Sequence, residues 1–211
     1  TLFYLMLSIG GALGGSFVGL LAPAVFNAYF ELPIGLFLCA VLVIVVLWSE
    51  LRSSWWRWLL LLALLVYGYR LAAISVDYVA DYRSVLRNFY GQLRVSEAVD
   101  EEMGVKRAIY HGRINHGEQF LAPEFRRQPT AYYCEKSGIG LAIRSLAKEQ
   151  PLKIGILGLG TGTLATYGRP GDEMRIYEIN EQVLDVARSD FSYLADSAAK
   201  IVPVLGDGRL M

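Results

Sequence analysis

The distribution of apolar and charged residues divides the chain into two parts of different character. From Thr1 to Ser75 only five residues are charged: Glu31, Glu50, Arg52, Arg57 and Arg70. From Asp77 onward, charged residues recur every few positions. Long apolar runs without charge are typical of membrane helices, because a charged side chain is costly in the hydrocarbon core. The pattern therefore predicts a membrane segment, residues 1–76, followed by a water-soluble segment.

Three apolar runs in the first part predict three transmembrane helices, over residues 2–26, 33–48 and 58–75. Pro23 lies near the end of the first run and helps to close that helix. The second run is short, so a re-entrant element is the alternative. The four tryptophans crowd the connection between the second and third runs and indicate an interfacial loop: Trp48, Trp55, Trp56 and Trp58.

The first run also contains glycines four residues apart, which fall on one face of a helix. Such small-residue spacing lets two helix backbones approach closely. We therefore expect helix partners at this face, in a homo-oligomer or a larger membrane complex, with flexible apolar filler as the alternative. The glycines concerned are Gly10, Gly14, Gly15 and Gly19.

The second part predicts two regions, residues 77–136 and 137–211. In the first, residues 88–95 have the composition of a strand, and residues 107–117 predict a hairpin broken by Gly112, so we expect a small antiparallel sheet. In the second, Ser137 is placed to cap a helix that runs through residue 149. Its predicted inward face is made of Ile139, Ile143 and Leu146.

From Lys153 the pattern alternates strand, helix, strand, helix and strand. The strands are predicted over residues 153–157, 174–179 and 200–205. The second helix is predicted to begin after Asn180 and to reach Phe191, with Val183, Leu184 and Ala187 facing inward. Apolar strands that alternate with helices predict a parallel sheet with covered faces. The predicted fold class is a membrane α-helical segment joined to an α/β domain.

Composition excludes several functions. The formal net charge is zero and basic residues form no run, so we expect no nucleic-acid partner. Cys39 lies in an apolar run and Cys134 in the polar part, which makes a disulfide between them improbable and fits a reducing compartment. His111 and His116 are the only histidines, and two histidines without a third ligand predict no metal site.

The polar residues that follow the three predicted strands indicate a nucleoside site. Gly158, Gly160 and Gly162 form a turn whose backbone N–H groups can closely approach a ligand. Glu178 follows Gly158 by 20 residues, the spacing at which a carboxylate accepts ribose hydroxyls, and Asp207 can accept a proton from the amine of adenine. The sixth position of the turn is threonine, where dinucleotide sites have glycine or alanine, so a site of the S-adenosylmethionine type is favoured. A purely structural turn is the other alternative.

Taken together, short motifs throughout the chain resemble the spermidine synthases. The resemblance is closer still to the bacterial group in which a spermidine-synthase-like domain follows a multi-span membrane region. The carrying residues are Gly10 to Gly15 with Ala22 and Pro23, Arg87 to Gly91, His111 and Gly112, His116 and Gly117 with Gln119, Pro129 to Tyr133, Ser137 and Gly138, Gly158 to Gly162, Tyr177 to Ile179, and Gly206 to Leu210.

This resemblance implies a β-hairpin region and the first half of a Rossmann-like sheet. It also implies a cofactor, decarboxylated S-adenosylmethionine or S-adenosylmethionine, and transfer of an aminopropyl or methyl group to a small amine. By match, Glu178 would bind the ribose hydroxyls and Asp207 the adenine amine. The remaining implied cofactor contacts are Gly158, Gly160, Thr161, Gly162 and Gly208, and the implied substrate contacts are His116, Gln119, Tyr132 and Tyr133.

The sequence departs from the family pattern in three places. Thr161 stands where the synthases have an acidic residue, and Tyr133-Cys134-Glu135 replaces their Tyr-His-Glu triplet. The catalytic aspartate of the family would lie beyond Met211, and we expect the natural chain to extend past both printed ends. For the two histidines, local hydrogen bonding within the hairpin is the alternative to ligand contact.

Two questions stay open at this stage. A non-catalytic subunit of a membrane complex, built on a truncated synthase-like chain, is the alternative to an enzyme. For orientation, Arg52 and Arg57 favour an external soluble part, whereas the nucleoside-type cofactor favours a cytoplasmic one. The basic residues at the end of the third run and after it also favour the cytoplasm, namely Arg70, Arg83, Arg87 and Arg94. We therefore expect an integral membrane protein with a cytoplasmic soluble part.

Overall fold

The computed structural model describes residues 1–50, 54–146 and 150–210. The chain forms two compact units, Thr1–Gln92 and Leu93–Met211. The first contains the apolar helices, and the second contains the parallel sheet and most of the antiparallel sheet. The architecture is mixed α/β, with a four-stranded antiparallel sheet and a three-stranded parallel sheet.

The apolar helices of the first unit follow the predicted runs. Helix α1 (Leu2–Ser16) continues through a π-helical turn, Phe17–Leu21, into α2 (Ala22–Val25), and α3 (Glu31–Leu47) and α4 (Ser54–Ala80) follow. Two apolar segments are long enough to cross a membrane, Leu2–Val25 with 24 residues and Trp55–Ala80 with 26. Because α3 has only 17 residues, the second predicted span is the shortest of the three.

Helices α3 and α4 pack through a small residue. A Cβ added to Gly68 would lie 2.8 Å from the Cε2 atom of Phe37, so this glycine lets the Phe37 ring lie against the backbone of α4. The glycines of α1 differ, because a Cβ added to any of them would meet no described atom within 4 Å. A partner at Gly10, Gly14, Gly15 and Gly19 therefore stays a prediction.

A buried ion pair ties the connection between α2 and α3 to strand β1 (Ser84–Asn88). The guanidinium of Arg87 donates to both carboxylate oxygens of Glu31, at 2.8 and 2.7 Å, and to the carbonyl oxygen of Ala28 at 2.8 Å. It also lies over the ring of Tyr29, 4.4 Å from the centroid. Both charged side chains are more than nine-tenths buried. Each charge therefore needs the other to compensate the cost of its removal from water.

The antiparallel sheet has the strand order β1-β2-β3-β4, where β2 is Gly91–Asp100, β3 is Gly104–His111 and β4 is Ile114–Phe120. The predicted hairpin around Gly112 is confirmed. The prediction of one strand over residues 88–95 is wrong, because a turn separates β1 from β2. The Asn88 side chain closes that turn by accepting a hydrogen bond from the Tyr90 backbone N–H, at 2.9 Å.

The parallel sheet consists of β5 (Lys153–Leu157), β6 (Glu173–Glu178) and β7 (Lys200–Leu205), with β6 in the centre. The predicted strand bounds are confirmed to within one residue. The element between β5 and β6 is only a short 3-10 helix, Thr163–Tyr167, because the chain turns at once toward β6. The buried carboxylate of Asp172 closes that turn by accepting the backbone N–H groups of Arg169 and Leu152, at 3.0 and 2.7 Å.

The parallel sheet is covered on one face among the described residues. Leu159, Ile176, Leu184 and Ala187 form the core between the sheet and helix α6 (Glu181–Ser189), as predicted for the two helix positions. The opposite face exposes 74% of Leu157. The prediction of two covered faces is therefore wrong among the described residues, since Leu157 and Arg175 are exposed on this face.

The predicted helix caps are confirmed, although one helix face is not. Ser137 Oγ accepts the Gly140 N–H at 3.2 Å before α5 (Gly138–Leu146), and Asn180 accepts the Gln182 N–H at 3.1 Å before α6. Residues 147–149, the predicted end of α5, lie outside the described residues. Ile143 is buried as predicted, but Ile139 and Leu146 are exposed, because Gly140 and Ile143 carry the inward face.

Candidate functional site

The carboxyl ends of the three parallel strands meet at one cavity of about 290 Å³. Parallel strands present these ends at the same sheet edge, which is where α/β sheets bind ligands. Each strand contributes a residue that the sequence singled out. They are Gly158 after β5, Glu178 at the end of β6, and Asp207 with Gly208 after β7.

Glu178 links the glycine turn to the start of α6. Its two carboxylate oxygens accept the backbone N–H groups of Leu159 and Asn180, both at 2.9 Å. Each oxygen of a carboxylate can accept more than one hydrogen bond, so the group retains capacity for hydroxyl donors from a ligand. Glu178 therefore positions the turn and also presents acceptors to the cavity.

Asp207 is engaged by a residue that the sequence analysis did not select. The Arg209 side chain donates to both oxygens of Asp207, at 2.5 to 3.1 Å. These hydrogen bonds, together with the Arg209 backbone N–H, lower the pKa of Asp207 to about 2. Arg209 itself is largely exposed and lines the same cavity. Its position two residues after a candidate ligand-binding carboxylate is the signal that could have identified it.

The glycine turn lies directly beneath the hairpin of β3 and β4. Gly158 (φ +90°) borders open space, whereas a Cβ added to Gly160 (φ +57°) would lie 2.5 Å from the backbone carbonyl oxygen of His116. A residue with a side chain at position 160 would therefore push the hairpin away from the turn. The turn and the hairpin are therefore in direct contact.

Thr161 is fully buried at this contact. Its hydroxyl lies 2.8 Å from that of Thr163, and a Cβ added to Gly117 would overlap the Thr161 side chain. On the other side, Gly162 packs against Leu194, 2.9 Å from the position of an added Cβ. Of the predicted residues of the turn, only Gly158 lines the cavity, and Gly160, Thr161 and Gly162 contact the elements that support it.

The two histidines face each other on the hairpin, with 5.9 Å between ring centroids. His116 is partly buried, and this burial lowers the pKa of its imidazole below 6.5. The neighbouring His111 lowers it further, while the negative charge of Glu178 opposes the shift. The influence of Glu178 relates the hairpin to the cavity edge. At neutral pH, His116 is accordingly an uncharged imidazole.

Gln119 is a buried residue that holds two segments of the chain together. Its side-chain N–H₂ donates to the Arg126 carbonyl oxygen at 2.7 Å and to Ser192 Oγ at 2.8 Å, and its carbonyl oxygen accepts the Ser192 N–H at 2.9 Å. The residue has no exposed surface. It joins β4 to the segment before α7 (Tyr193–Asp196) and does not line the cavity.

Tyr132 and Tyr133 lie in a 3-10 helix, Ala131–Tyr133, with 4.4 Å between ring centroids. Burial, together with a hydrogen bond that its hydroxyl donates to Tyr132, raises the pKa of Tyr133 to about 12, so its phenol stays protonated at neutral pH. Neither ring lines the cavity at the strand ends. The adjacent Cys134 and Glu135 border a separate depression of about 610 Å³.

Residues 1–50, 54–146 and 150–210 contain no group of three or more histidine, cysteine, aspartate or glutamate side chains that could hold a metal ion. Comparison with known proteins found no family model that matches the chain. It found no matching curated protein either. The geometry of the cavity is therefore the basis on which a function can be inferred.

Proposed function

We propose that the cavity at the strand ends binds the adenosine part of decarboxylated S-adenosylmethionine or S-adenosylmethionine. The observation that supports this proposal is the convergence of Gly158, Glu178 and Asp207 on one cavity. These residues supply a turn that a ligand can approach closely, acceptors for two ribose hydroxyls, and an acceptor for the adenine amine. A structural turn explains the two backbone hydrogen bonds of Glu178, but it does not explain a second carboxylate, Asp207, at the same cavity.

The strand order gives the proposed ligand a direction. Asp207 follows β7, Glu178 ends β6, and the glycine turn follows β5, so adenine, ribose and the sulfur end would lie over the three strands in that order. The cavity volume of about 290 Å³ lies at the lower end of the range for ligand pockets, about 300 to 1,000 Å³. It suits the adenosine part, with the rest of the cofactor extending over the turn toward the hairpin.

The reaction that we propose is transfer of an aminopropyl or methyl group to a small amine, within a spermidine-synthase-like, Rossmann-like domain. The nitrogen lone pair attacks the carbon beside the positive sulfur. A C–N bond forms as the C–S bond breaks, sulfur keeps the bonding electrons as a thioether, and the amine releases one proton. The protein's part is to align the two groups and to keep the amine unprotonated.

We further propose that the soluble part is anchored to a membrane and lies in the cytoplasm. Two helices are long and apolar enough to cross a bilayer. Their apolar side chains are exposed, as in Leu13, Leu62 and Leu65, which suits a lipid environment. The short apolar helix α3 would complete a group of about three membrane helices. A nucleoside-type cofactor is consistent with the cytoplasmic side.

Calorimetry on the full chain in detergent micelles tests the proposed cofactor. We expect S-adenosylmethionine or its decarboxylated form to bind in the range of about 1 μM to 1 mM, typical of enzyme substrates. Asp207→Asn is the better variant for the first test, since Glu178→Ala would also remove two backbone hydrogen bonds of the fold. We expect it to weaken binding.

The matched control is Asp185→Asn, which changes an exposed aspartate of α6 and should leave the affinity unchanged. Absence of binding heat for both cofactors would refute the proposal for this chain. Equal weakening by both variants would refute the assignment of Asp207, because loss of one negative charge anywhere would then explain the effect.

A further inference from the structure

We propose that His116 lies beside the positively charged sulfur of the bound cofactor, so that the cofactor binds preferentially when this imidazole is uncharged. The inference rests on the proposed function. It assigns the hairpin, outside the cavity itself, to recognition of the reacting end of the ligand.

The position of the hairpin leads to this assignment. If adenosine occupies the cavity over β7 and β6, the sulfur end extends over β5, above the glycine turn. There the turn lies against the β4 backbone, since a Cβ on Gly160 would come within 2.5 Å of the His116 carbonyl oxygen. The hairpin also brings the His116 and His111 rings together, and the charge of Glu178 acts on His116.

The electrostatics of this region depend on protonation. From β4 and β3 it holds His116 and His111, and from the end of β6 it holds Glu178. With both imidazoles uncharged, Glu178 provides the only net charge of the three, which favours a cationic ligand. Protonation of His116 would place two like charges a few ångströms apart. At about 6 Å this repulsion weakens binding by roughly 3-fold in a fully aqueous setting and by about 100-fold near a protein surface.

The direction of the pH dependence follows. Burial and the neighbouring His111 already lower the pKa of His116 in the free protein. A bound cation stabilises the uncharged form still more, so the pKa of His116 should fall further on binding. By linkage, affinity should be highest above this pKa and should decrease as the pH falls through it.

The composition of the chain makes the test direct, because it contains only two histidines. The ¹H and ¹³C resonances of the two imidazoles can be followed from pH 5 to pH 8 in the full chain in micelles, with assignment through His111→Gln. We expect saturating S-adenosylmethionine or its decarboxylated form to lower the pKa of His116 by about half a unit to two units. The neutral thioether 5′-methylthioadenosine occupies the same cavity without the positive sulfur and should leave the pKa unchanged.

Variants provide an independent measurement by calorimetry. In His116→Gln, the cofactor affinity should no longer weaken between pH 8 and pH 5, whereas the matched variant His111→Gln should keep that weakening. If the cofactor binds and the His116 titration does not change, the inference is wrong and the proposed function stands. If neither cofactor nor thioether binds, the proposed function fails and the inference fails with it.

Discussion

Three glycines around the turn allow its geometry to be tested by single methyl groups. Gly155 in β5 has an ordinary φ and no described atom within 4 Å of an added Cβ. Gly158 has equal space but a φ of +90°, and Gly160 combines a φ of +57° with the hairpin backbone 2.5 Å away. Alanine therefore adds no strain at position 155 and backbone strain alone at position 158. At position 160 it adds both backbone strain and a steric clash.

The magnitudes follow from these differences. Gly155→Ala should be neutral or stabilise by about 0.5 to 1 kcal/mol, because alanine loses less conformational entropy in a strand. Gly158→Ala should destabilise by about 1 to 2 kcal/mol through the left-handed backbone. Gly160→Ala carries the same cost and also about 1 to 3 kcal/mol for overpacking, so about 2 to 5 kcal/mol in total.

Hydrogen exchange of the full chain in micelles measures these differences in the parallel sheet and in the hairpin next to it. Peptides from β5 to β7 report the opening free energy of the parallel sheet, and a tenfold change in protection corresponds to about 1.4 kcal/mol. Gly160→Ala should lower protection there by about 30-fold or more, and it should also expose β4, which lies over the turn.

The order of the three variants is the decisive result. If Gly158→Ala and Gly160→Ala reduced protection equally and β4 were unaffected, the contact between the hairpin and the turn would be refuted. The position proposed for His116 beside the ligand would lose its basis at the same time. If Gly155→Ala were the most damaging, the assignment of β5 would be wrong.

Three further predictions concern charged groups. Arg87→Met should destabilise the first unit by about 3 to 5 kcal/mol, because Glu31 would remain buried without its partner, and the added change Glu31→Leu should recover part of this loss in thermal unfolding. Although burial opposes the shift, hydrogen bonds from Leu152 and Arg169 lower the pKa of Asp172 below 3.8. The ionised Asp172 carboxylate should therefore contribute its full stabilisation above pH 3.8, and this stabilisation should be lost as the pH falls below that value. Asp172→Asn should reduce the acid sensitivity of the protein in unfolding curves. Arg209→Ala should tighten cofactor binding by less than about tenfold in calorimetry, since it frees the carboxylate of Asp207; weaker binding would instead make Arg209 a direct contact of the ligand.

Local sequence signals predicted much of this structure because the forces that produce them act over a few residues. Ser137 and Asn180 satisfy N–H groups at the start of their own helices, and an apolar pattern marks β5 to β7. The caps and strands could therefore be predicted from local sequence alone, without knowledge of the tertiary structure. The turn at Asn88 was missed because aromatic residues next to it raise strand propensity. Its closure depends on one side-chain hydrogen bond, which composition does not report.

The sequence by itself determined that apolar helices precede an α/β part, and that a glycine turn and two carboxylates follow neighbouring strands. These features depend on hydropathy and on residue order, which are local properties. Only the tertiary structure decided that Gln119 and Thr161 are buried structural residues and that Arg209 forms a salt bridge with Asp207. It also decided that the hairpin with His116 packs against Gly160. Those facts depend on contacts between residues far apart in the chain, such as Gln119 and Ser192 or His116 and Gly160, and packing selects such contacts only once the whole domain has folded.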